Sequence, residues 1–158
     1  MAMPATPTAR RYTVDEVYAW PDDGNRYEVV HGELLVTPAP RAVHQGVVMQ
    51  LLGRLHEYLK PLGLERTLFP GPADIFWGED IWVQPDMLVV VPEEVSTDWR
   101  TYKSLRLVVE VLSNSTEAYD RHGKFDHYKR LESLQEYVLV SQHQPLIERF
   151  SKGAGACL

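Results

Sequence analysis

Two acidic residues interrupt the most apolar stretches of this sequence. Asp86 stands at the entrance of 87-MLVVV-91, and Glu110 lies inside 107-LVVEVL-112 with a valine on either side. A carboxylate in such surroundings is costly to bury unless a cation or hydrogen-bond donors compensate it. Backbone N–H groups or a nearby Arg or Lys would explain either acid alone. Two acids at the same end of neighbouring strands instead suit a hard divalent cation such as Mg²⁺, which prefers oxygen ligands.

A candidate cation lies further along the chain, in 119-YDRHGKFDHYKR-130. Asp120, Lys124 and Tyr128 are four residues apart, so all three can share one face of a helix. Lys124 could then project toward the two acids and hold a phosphate or an attacking water. The alternative is an exposed ion pair between Asp120 and Lys124, worth about 0.2–0.5 kcal/mol. Taken by itself, the spacing favours this alternative.

The elements in the first part of the chain are predicted from capping and periodicity. Thr13 and Glu16 have the spacing of a capping box, which predicts a helix over 13–20. The segment 26–40 has two strand-like halves around His31-Gly32, a pattern typical of a β-hairpin with a two-residue turn. Apolar residues recur on one face from Arg41 to Leu59, which predicts a second helix.

The rest of the chain alternates strands with one helix. Strands are predicted within 67–77, 82–91, 106–113, 136–142 and 146–152, and a helix from about Asp120 to Leu131. Pro85 cannot donate to a sheet ladder, so it places Asp86 at the mouth of its strand. We therefore predict one α+β (mixed α/β) domain over residues 1–158, with a central sheet covered by helices and its two most apolar strands buried on both faces. Residues 1–12 are expected to be flexible, and 153–158 to form a disordered tail.

The charge of the chain is uneven, although the net charge is −6. From Pro70 to Asp98 there are seven acids and no Lys or Arg. From Trp99 to Leu131 seven basic residues stand against four acids. We refer to these seven as the basic stripe: Arg100, Lys103, Arg106, Arg121, Lys124, Lys129 and Arg130. An acidic site beside a basic stripe is compatible with a metal-dependent enzyme acting on a polyanion, although charge alone favours ordinary solvated faces.

Two classes of location are disfavoured by composition. The sequence contains no run of about 18 apolar residues, which a membrane-spanning helix would require. Its N-terminal arginines precede no apolar stretch of the kind found in secretory signals. The single cysteine, Cys157, excludes an internal disulfide and fits a reducing environment. A cytoplasmic protein is therefore expected.

Six segments follow one another in a recognisable order: 26-RYEVVHGELL-35, 44-HQ-45, 84-QPDMLVV-90, 108-VVEVLS-113, 120-DRHGKFDHY-128 and 136-EYVLV-140. Together they resemble the Uma-two family, which is placed in the PD-(D/E)XK nuclease superfamily. The resemblance spans roughly residues 27–150. It implies a restriction-endonuclease-like fold, with a central mixed β-sheet flanked by helices. It also implies a Mg²⁺-dependent endonuclease that cleaves phosphodiester bonds of nucleic acid, DNA rather than RNA, with Mn²⁺ as a substitute.

The resemblance also implies roles for particular residues. Asp86 and Glu110 would bind the metal together with the main-chain carbonyl of Val111, and Glu28 would be an additional acid. The usual lysine two residues after the second acid is replaced by Leu112. Lys124 would therefore be the displaced catalytic lysine.

Other matching residues have less specific roles. His44 would face the same cleft, although a plain contact at the start of the second helix is an equal alternative. Gln84, Ser113 and Tyr128 would support the site. The basic stripe would meet backbone phosphates.

Two alternatives remain open on the sequence. One is a nuclease fold that binds nucleic acid or a protein without cutting, and the other is a metal-dependent hydrolase of small phosphodiesters. Cleavage of both DNA strands would favour a homodimer or a higher homo-oligomer, because two sites must face antiparallel strands.

Overall fold

A computed structural model describes residues 10–37, 39–94, 102 and 104–153 of the chain. The helices are α1 (Val14–Tyr18), α2 (Ala42–Leu59), α3 (Glu117–Tyr119) and α4 (Phe125–Tyr128). A π-helix, Asp120–Lys124, joins α3 to α4, and short 3₁₀ turns cover Lys60–Leu62, Glu65–Thr67 and Pro92–Glu94. The strands are β1 (Arg26–Val30), β2 (Glu33–Thr37), β3 (Leu68–Pro70), β4 (Ile75–Trp77), β5 (Ile81–Val83), β6 (Met87–Val90), β7 (Leu105–Leu112), β8 (Glu136–Ser141) and β9 (Ile147–Ser151). The predicted α+β class is confirmed.

The predicted tails lie mostly outside this description. Residues 1–9 and 154–158 are not among the described residues. Of the segment 1–12, residues 10–12 are described, and the Tyr12 amide donates to the Gly32 carbonyl at 3.0 Å.

A four-stranded antiparallel sheet has the order β2-β1-β5-β4. Its β1–β2 hairpin turns at His31 and Gly32, as predicted, with φ of 51° and 77°. A two-residue hairpin turn of this kind requires positive φ at both positions, which glycine adopts without steric cost.

A five-stranded sheet has the order β3-β6-β7-β8-β9. Its β7 and β8 are parallel, and its other neighbours are antiparallel. The pairing of Met87 with Val109 places the preceding Asp86 opposite Glu110 at one end of the sheet. β6 is buried along its whole length, and β7 is buried from Val108 to Leu112, as predicted.

Two predicted strands are each divided between the sheets. The segment 67–77 contains β3 and β4, and the segment 82–91 contains β6 and all of β5 except Ile81, so the prediction of one strand in each was wrong. The breaks occur at Gly71-Pro72 and at Gln84-Pro85, because a proline cannot donate to a ladder. The two breaks also contact each other, since the Gly71 amide donates to the Asp86 carbonyl at 2.8 Å.

Three helical stretches were predicted, and within the described residues the structure has one at each of these places, with different ends. Thr13 Oγ1 accepts from the Glu16 amide at 3.3 Å, which caps α1. α2 matches its prediction, with Arg41 as the N-cap residue. The last predicted helix, Asp120 to Leu131, instead begins at Glu117, contains the π-helix and ends at Tyr128. We call this continuous stretch the helical segment 117–128.

Two apolar cores cover the faces of the five-stranded sheet. One contains residues of both sheets together with Tyr128 and Leu134, and the helical segment 117–128 packs against it. The other lies between the sheet and the apolar face of α2. None of the helices within the described ranges combines the length and apolar character needed to cross a bilayer.

Candidate active site

A pocket of about 360 Å³ opens where β6 begins and β7 ends, beside the first turn of α2. Residues from both sheets, from α2 and from the helical segment 117–128 line it. They include Arg26, Glu28, His44, Asp86, Glu110 and Lys124. The pocket therefore contains every residue for which the sequence predicted a role at the metal or in catalysis, including Val111.

Asp86 is held from three directions at the mouth of β6. The Val111 amide donates to Asp86 Oδ2 at 2.8 Å, and His44 Nε2 lies 3.1 Å from the same oxygen. Arg26 Nη1 lies 3.4 Å from Oδ1. Burial raises the pKa of Asp86, but the hydrogen bond and charge of His44, with the Val111 amide and Arg26, bring that pKa below its ordinary value. Asp86 is therefore a stabilised carboxylate anion.

Lys124 is surrounded by the other three carboxylates of the pocket. Its Nζ lies 2.9 Å from Glu28 Oε1, 3.2 Å from Glu110 Oε1 and 3.3 Å from Asp120 Oδ1. All four side chains are only 3% exposed. A buried ion cluster of this kind is tolerated only when each charge is compensated within the cluster.

The protonation of this cluster follows from burial and charge. Burial lowers the pKa of Lys124, but Glu110, Glu28 and Asp120 outweigh it and hold that pKa well above its usual range. Burial raises the pKa of Glu110 well above its usual value, and the neighbouring acids add to the rise while Lys124 opposes it. The two directions are compatible, because three carboxylates share one ammonium. Lys124 stays charged, and Glu110 is an acid that retains its proton readily.

Glu28 is fixed by a second hydrogen-bond network. The Gln84 amide donates to Glu28 Oε1 at 2.6 Å, and the Gln84 side chain donates to Asp74 Oδ1 at 2.8 Å. Trp82 Nε1 donates to the same Asp74 oxygen at 2.7 Å. Gln84 therefore supports the site by orienting Glu28, and its partner Asp74 was not singled out in the sequence.

Two further residues of the pocket escaped prediction. Nothing in the sequence distinguishes Arg26 from an ordinary strand residue. It contacts Asp86 only because β1 passes close to the break at Gln84-Pro85. Asp120 was interpreted as half of an exposed pair with Lys124. The pair exists, with Lys124 Nζ 3.3 Å from Asp120 Oδ1, but the prediction that it is exposed was wrong, because Asp120 is 2% exposed and its helix face turns inward. The spacing of four residues before Lys124 was the available signal.

The remaining supporting residues differ in position. Ser113 lines the pocket and shares hydrogen bonds with the Ser115 and Thr116 hydroxyls. Tyr128 is fully buried behind the site, against the rings of Trp77 and Tyr137. Burial raises the pKa of Tyr128 well above its usual range.

The basic stripe does not form a continuous cationic face among the described residues. Lys124 is buried, Arg121 pairs with Glu117 and Glu148, and Lys129 pairs with Asp126. Arg106 and Arg130 are exposed, whereas Arg100 and Lys103 lie outside the described residues. The acids that pair with Arg121 and Lys129 lie on the helical segment 117–128 and on β9, which agrees with the solvated faces that charge alone favoured.

The donor set fits a hard cation in its chemistry. Four carboxylates line the pocket beside three permanent cations, Arg26, Arg41 and Lys124, and carboxylate oxygens are ligands that Mg²⁺ prefers. In the described part of the chain no three His, Cys, Asp or Glu side chains are arranged to hold a metal. The reason is that Asp86 faces His44 and Arg26 while Glu28 and Glu110 face Lys124. Mg²⁺ commonly uses only one or two carboxylates and keeps several waters, so two acids such as Asp86 and Glu110 would be enough to hold it.

Comparison with known proteins identifies the family of the chain. The model of the Uma2 family, described as "Putative restriction endonuclease", matches residues 14–157. Two curated relatives come from Synechocystis sp. (strain ATCC 27184 / PCC 6803 / Kazusa). The chain is 47% identical to "Uncharacterized protein slr1290" over 70 residues, or 43% of this chain and 36% of that protein. It is 27% identical to "Uncharacterized protein sll1609" over 131 residues, or 79% of this chain and 71% of that protein.

The match to the first relative thus covers about a third of that protein's length, whereas the family model covers nearly all of this chain. The α+β architecture with its mixed sheet is consistent with a restriction-endonuclease-like fold. The chain belongs to the Uma2 family of restriction-endonuclease-like proteins.

Proposed function

We propose that this protein is a Mg²⁺-dependent endonuclease that hydrolyses phosphodiester bonds of nucleic acid, with DNA as the substrate. The observation that carries the proposal is the convergence of Asp86 and Glu110, on adjacent strands, with the buried ammonium of Lys124 in one pocket. Family membership supports a nuclease role independently of this geometry.

The residues of the pocket divide the chemistry among themselves. Asp86 and Glu110, with Glu28 and the Val111 carbonyl, would hold Mg²⁺, which when bound polarises a phosphate oxygen and lowers the pKa of a coordinated water. Lys124, charged in its carboxylate cluster, would stabilise the negative charge that develops on the phosphate. His44 and Arg26 would orient Asp86 through its two carboxylate oxygens.

Cleavage of supercoiled plasmid with Mg²⁺ or Mn²⁺ tests the proposal. The wild type should nick or linearise the plasmid, and Asp86→Asn, Glu110→Gln and Lys124→Met should each lower the rate by about 100-fold or more. Asp126→Asn is the matched control, because Asp126 lies on the helical segment 117–128 and is exposed. Equal cutting by all variants would identify a contaminating nuclease and overturn the proposal.

A second candidate function is a nuclease-fold protein that binds nucleic acid or a protein without cutting. The pairing of Lys124 with three carboxylates favours it, because a buried ion cluster of this kind can serve only the stability of the fold. This candidate predicts no cleavage and no divalent-ion binding by the wild type. A chromogenic phosphodiester, tested beside the plasmid, distinguishes a hydrolase of small diesters, which would cut it and show no salt-sensitive DNA binding.

Assembly and location complete the proposal. A homodimer or higher homo-oligomer, acting in the cytoplasm, would place two pockets against antiparallel DNA strands. Sedimentation velocity of the full chain, with and without duplex DNA, measures the assembly. A monomer in both conditions would restrict the activity to single-strand nicking.

A further inference from the structure

We infer that Asp120 is the positioning residue for Lys124: it keeps the lysine ammonium in the pocket when Glu28 and Glu110 turn to a metal ion. This inference rests on the proposed function and deepens it. It starts from the number of acids, because Lys124 contacts three carboxylates and two of them, Glu110 and the additional acid Glu28, also belong to the proposed metal site. Asp120 is the third carboxylate, and it has no role in the proposed metal site.

The position of Asp120 in the fold separates it from the other two acids. Glu28 and Glu110 project from β1 and β7, whereas Asp120 and Lys124 are the first and last residues of the π-helix. Asp120 therefore moves with Lys124 as one unit. The contacts of Lys124 with Glu28 and Glu110 join it to other elements, β1 and β7, so each can be lost without moving Asp120.

Several contacts immobilise this unit. The Tyr137 hydroxyl donates to the Asp120 carbonyl at 2.9 Å, and the ring centroid of Tyr119 lies 5.8 Å from Lys124 Nζ. Gly123 permits this packing, because a Cβ at that position would lie 3.0 Å from the Tyr119 ring. π-helical turns inside α-helices are frequent at functional sites, where they re-aim side chains.

Electrostatics explains why such a counter-ion is needed. A divalent cation shared by Glu28 and Glu110 would both withdraw their charge from Lys124 and repel its ammonium. With Asp120 beside it, Lys124 Nζ keeps one buried carboxylate oxygen at 3.3 Å. Without Asp120 the ammonium would be left buried beside a like charge, and leaving the pocket would become favourable.

The experiment follows the lysine side chain directly, without relying on activity. In protein labelled with ¹⁵N-lysine, the Lys124 ammonium should give a slowly exchanging NMR signal, assigned by its absence in Lys124→Met. The measurement is made with Mg²⁺ present, because Mg²⁺ is diamagnetic and does not broaden the signal as Mn²⁺ would. Under these conditions Asp120→Asn should lose the signal or accelerate its hydrogen exchange at least tenfold. Asp126→Asn, which removes the exposed partner of Lys129, is the control and should leave the signal unchanged.

Two further measurements separate positioning from metal binding. By EPR titration, Asp120→Asn should bind Mn²⁺ within threefold of the wild type, while its kcat for plasmid cleavage falls at least tenfold at saturating metal. A persistent ammonium signal in Asp120→Asn would overturn the inference. So would a tenfold loss of Mn²⁺ affinity, which would make Asp120 a metal ligand.

Folding is controlled with a second variant, Asp120→Ser. If neither Asp120→Asn nor Asp120→Ser folds, the inference is also overturned, because Asp120 would then serve the stability of the fold. A wild type that cuts no plasmid would contradict the proposed function. The ammonium signal would still show whether Asp120 positions Lys124, because it does not depend on cleavage.

Discussion

At the scale of single residues, the pocket is organised by which cation each acid receives. Asp86 accepts bonds from a histidine, an arginine and a backbone amide, and its pKa is lowered. Glu110 shares the lysine with two other acids and lies deeper, and its pKa is raised. The same side-chain chemistry thus produces an anion at the mouth of the pocket and a proton-retaining acid behind it, because burial and partners differ.

His127 lies outside the pocket, in surroundings that disfavour its protonated form. Its ring is 6% exposed, packs 4.5 Å from the centroid of Trp77, and neither ring nitrogen has a hydrogen-bond partner among the described residues. Burial, with the nearby His31 and Arg130, lowers the pKa of His127 to about 4, while Asp80 opposes this. The folded protein therefore favours the neutral form of the His127 imidazole.

We predict that this histidine destabilises the fold at acidic pH. Below its unfolded pKa of 6.5 the unfolded chain binds the proton and the folded chain does not, so stability present above pH 6.5 is lost as the pH falls toward 4. The loss attributable to His127 is on the order of 2–3 kcal/mol. Urea unfolding of wild type and His127→Leu between pH 4.5 and 7.5 measures it as a difference. Parallel pH profiles of the two proteins would refute the assignment.

At the scale of elements, the break between β5 and β6 determines where Asp86 lies. Gln84 and Pro85 carry the chain from the four-stranded to the five-stranded sheet, and Gly71 closes against them from the corresponding break between β3 and β4. A Cβ on Gly71 would lie 2.0 Å from the Pro85 carbonyl oxygen. Glycine is therefore required at this position by the close approach of two backbones.

We predict that Gly71→Ala destabilises the protein by about 2–3 kcal/mol or more, because the backbone of Pro85 and Asp86 must move. The displacement should also weaken the contact of Asp86 with His44. Gly46→Ala is the matched control: a Cβ on Gly46, in α2, meets nothing within 4 Å, and alanine there should stabilise by roughly 0.5–1 kcal/mol. Urea denaturation midpoints report both changes, and an unaltered midpoint for Gly71→Ala would contradict this account of the break.

At the scale of the whole molecule, the pocket exists only when both sheets and two helices are assembled. Arg26 and Glu28 come from one sheet, Asp86 and Glu110 from the other, His44 from α2 and Lys124 from the π-helix. Ligands that bind this assembled pocket and not the unfolded chain must stabilise the fold as a whole. The proposed metal site is thus linked to global unfolding.

We predict that Mg²⁺ raises the melting temperature of metal-stripped protein. At ten times its dissociation constant the ion would add about 1.4 kcal/mol, a rise of roughly 3–5 °C for a chain of this size. Differential scanning calorimetry after EDTA treatment, with Mg²⁺ or with matched ionic strength from NaCl, measures the effect. Asp86→Asn should abolish it, and a rise of the same size in that variant would place the ion elsewhere.

Local patterns in the sequence were sufficient for the hairpin at His31-Gly32, for α2 and for the burial of β6 and β7, because these depend on φ preferences and on apolar periodicity between neighbours in the chain. Asp86 and Glu110 were also identifiable, since acids inside apolar strands need a cation, whereas the role of Lys124 came from the resemblance to the Uma-two family. Tertiary structure decided the division of 67–77 and 82–91 between two sheets, the inward turn of Asp120 and the arrival of Arg26 at Asp86. Each of these depends on contacts between residues far apart in the chain. The close approach of two backbones and the burial that they share select the arrangement, and no local pattern encodes either of them.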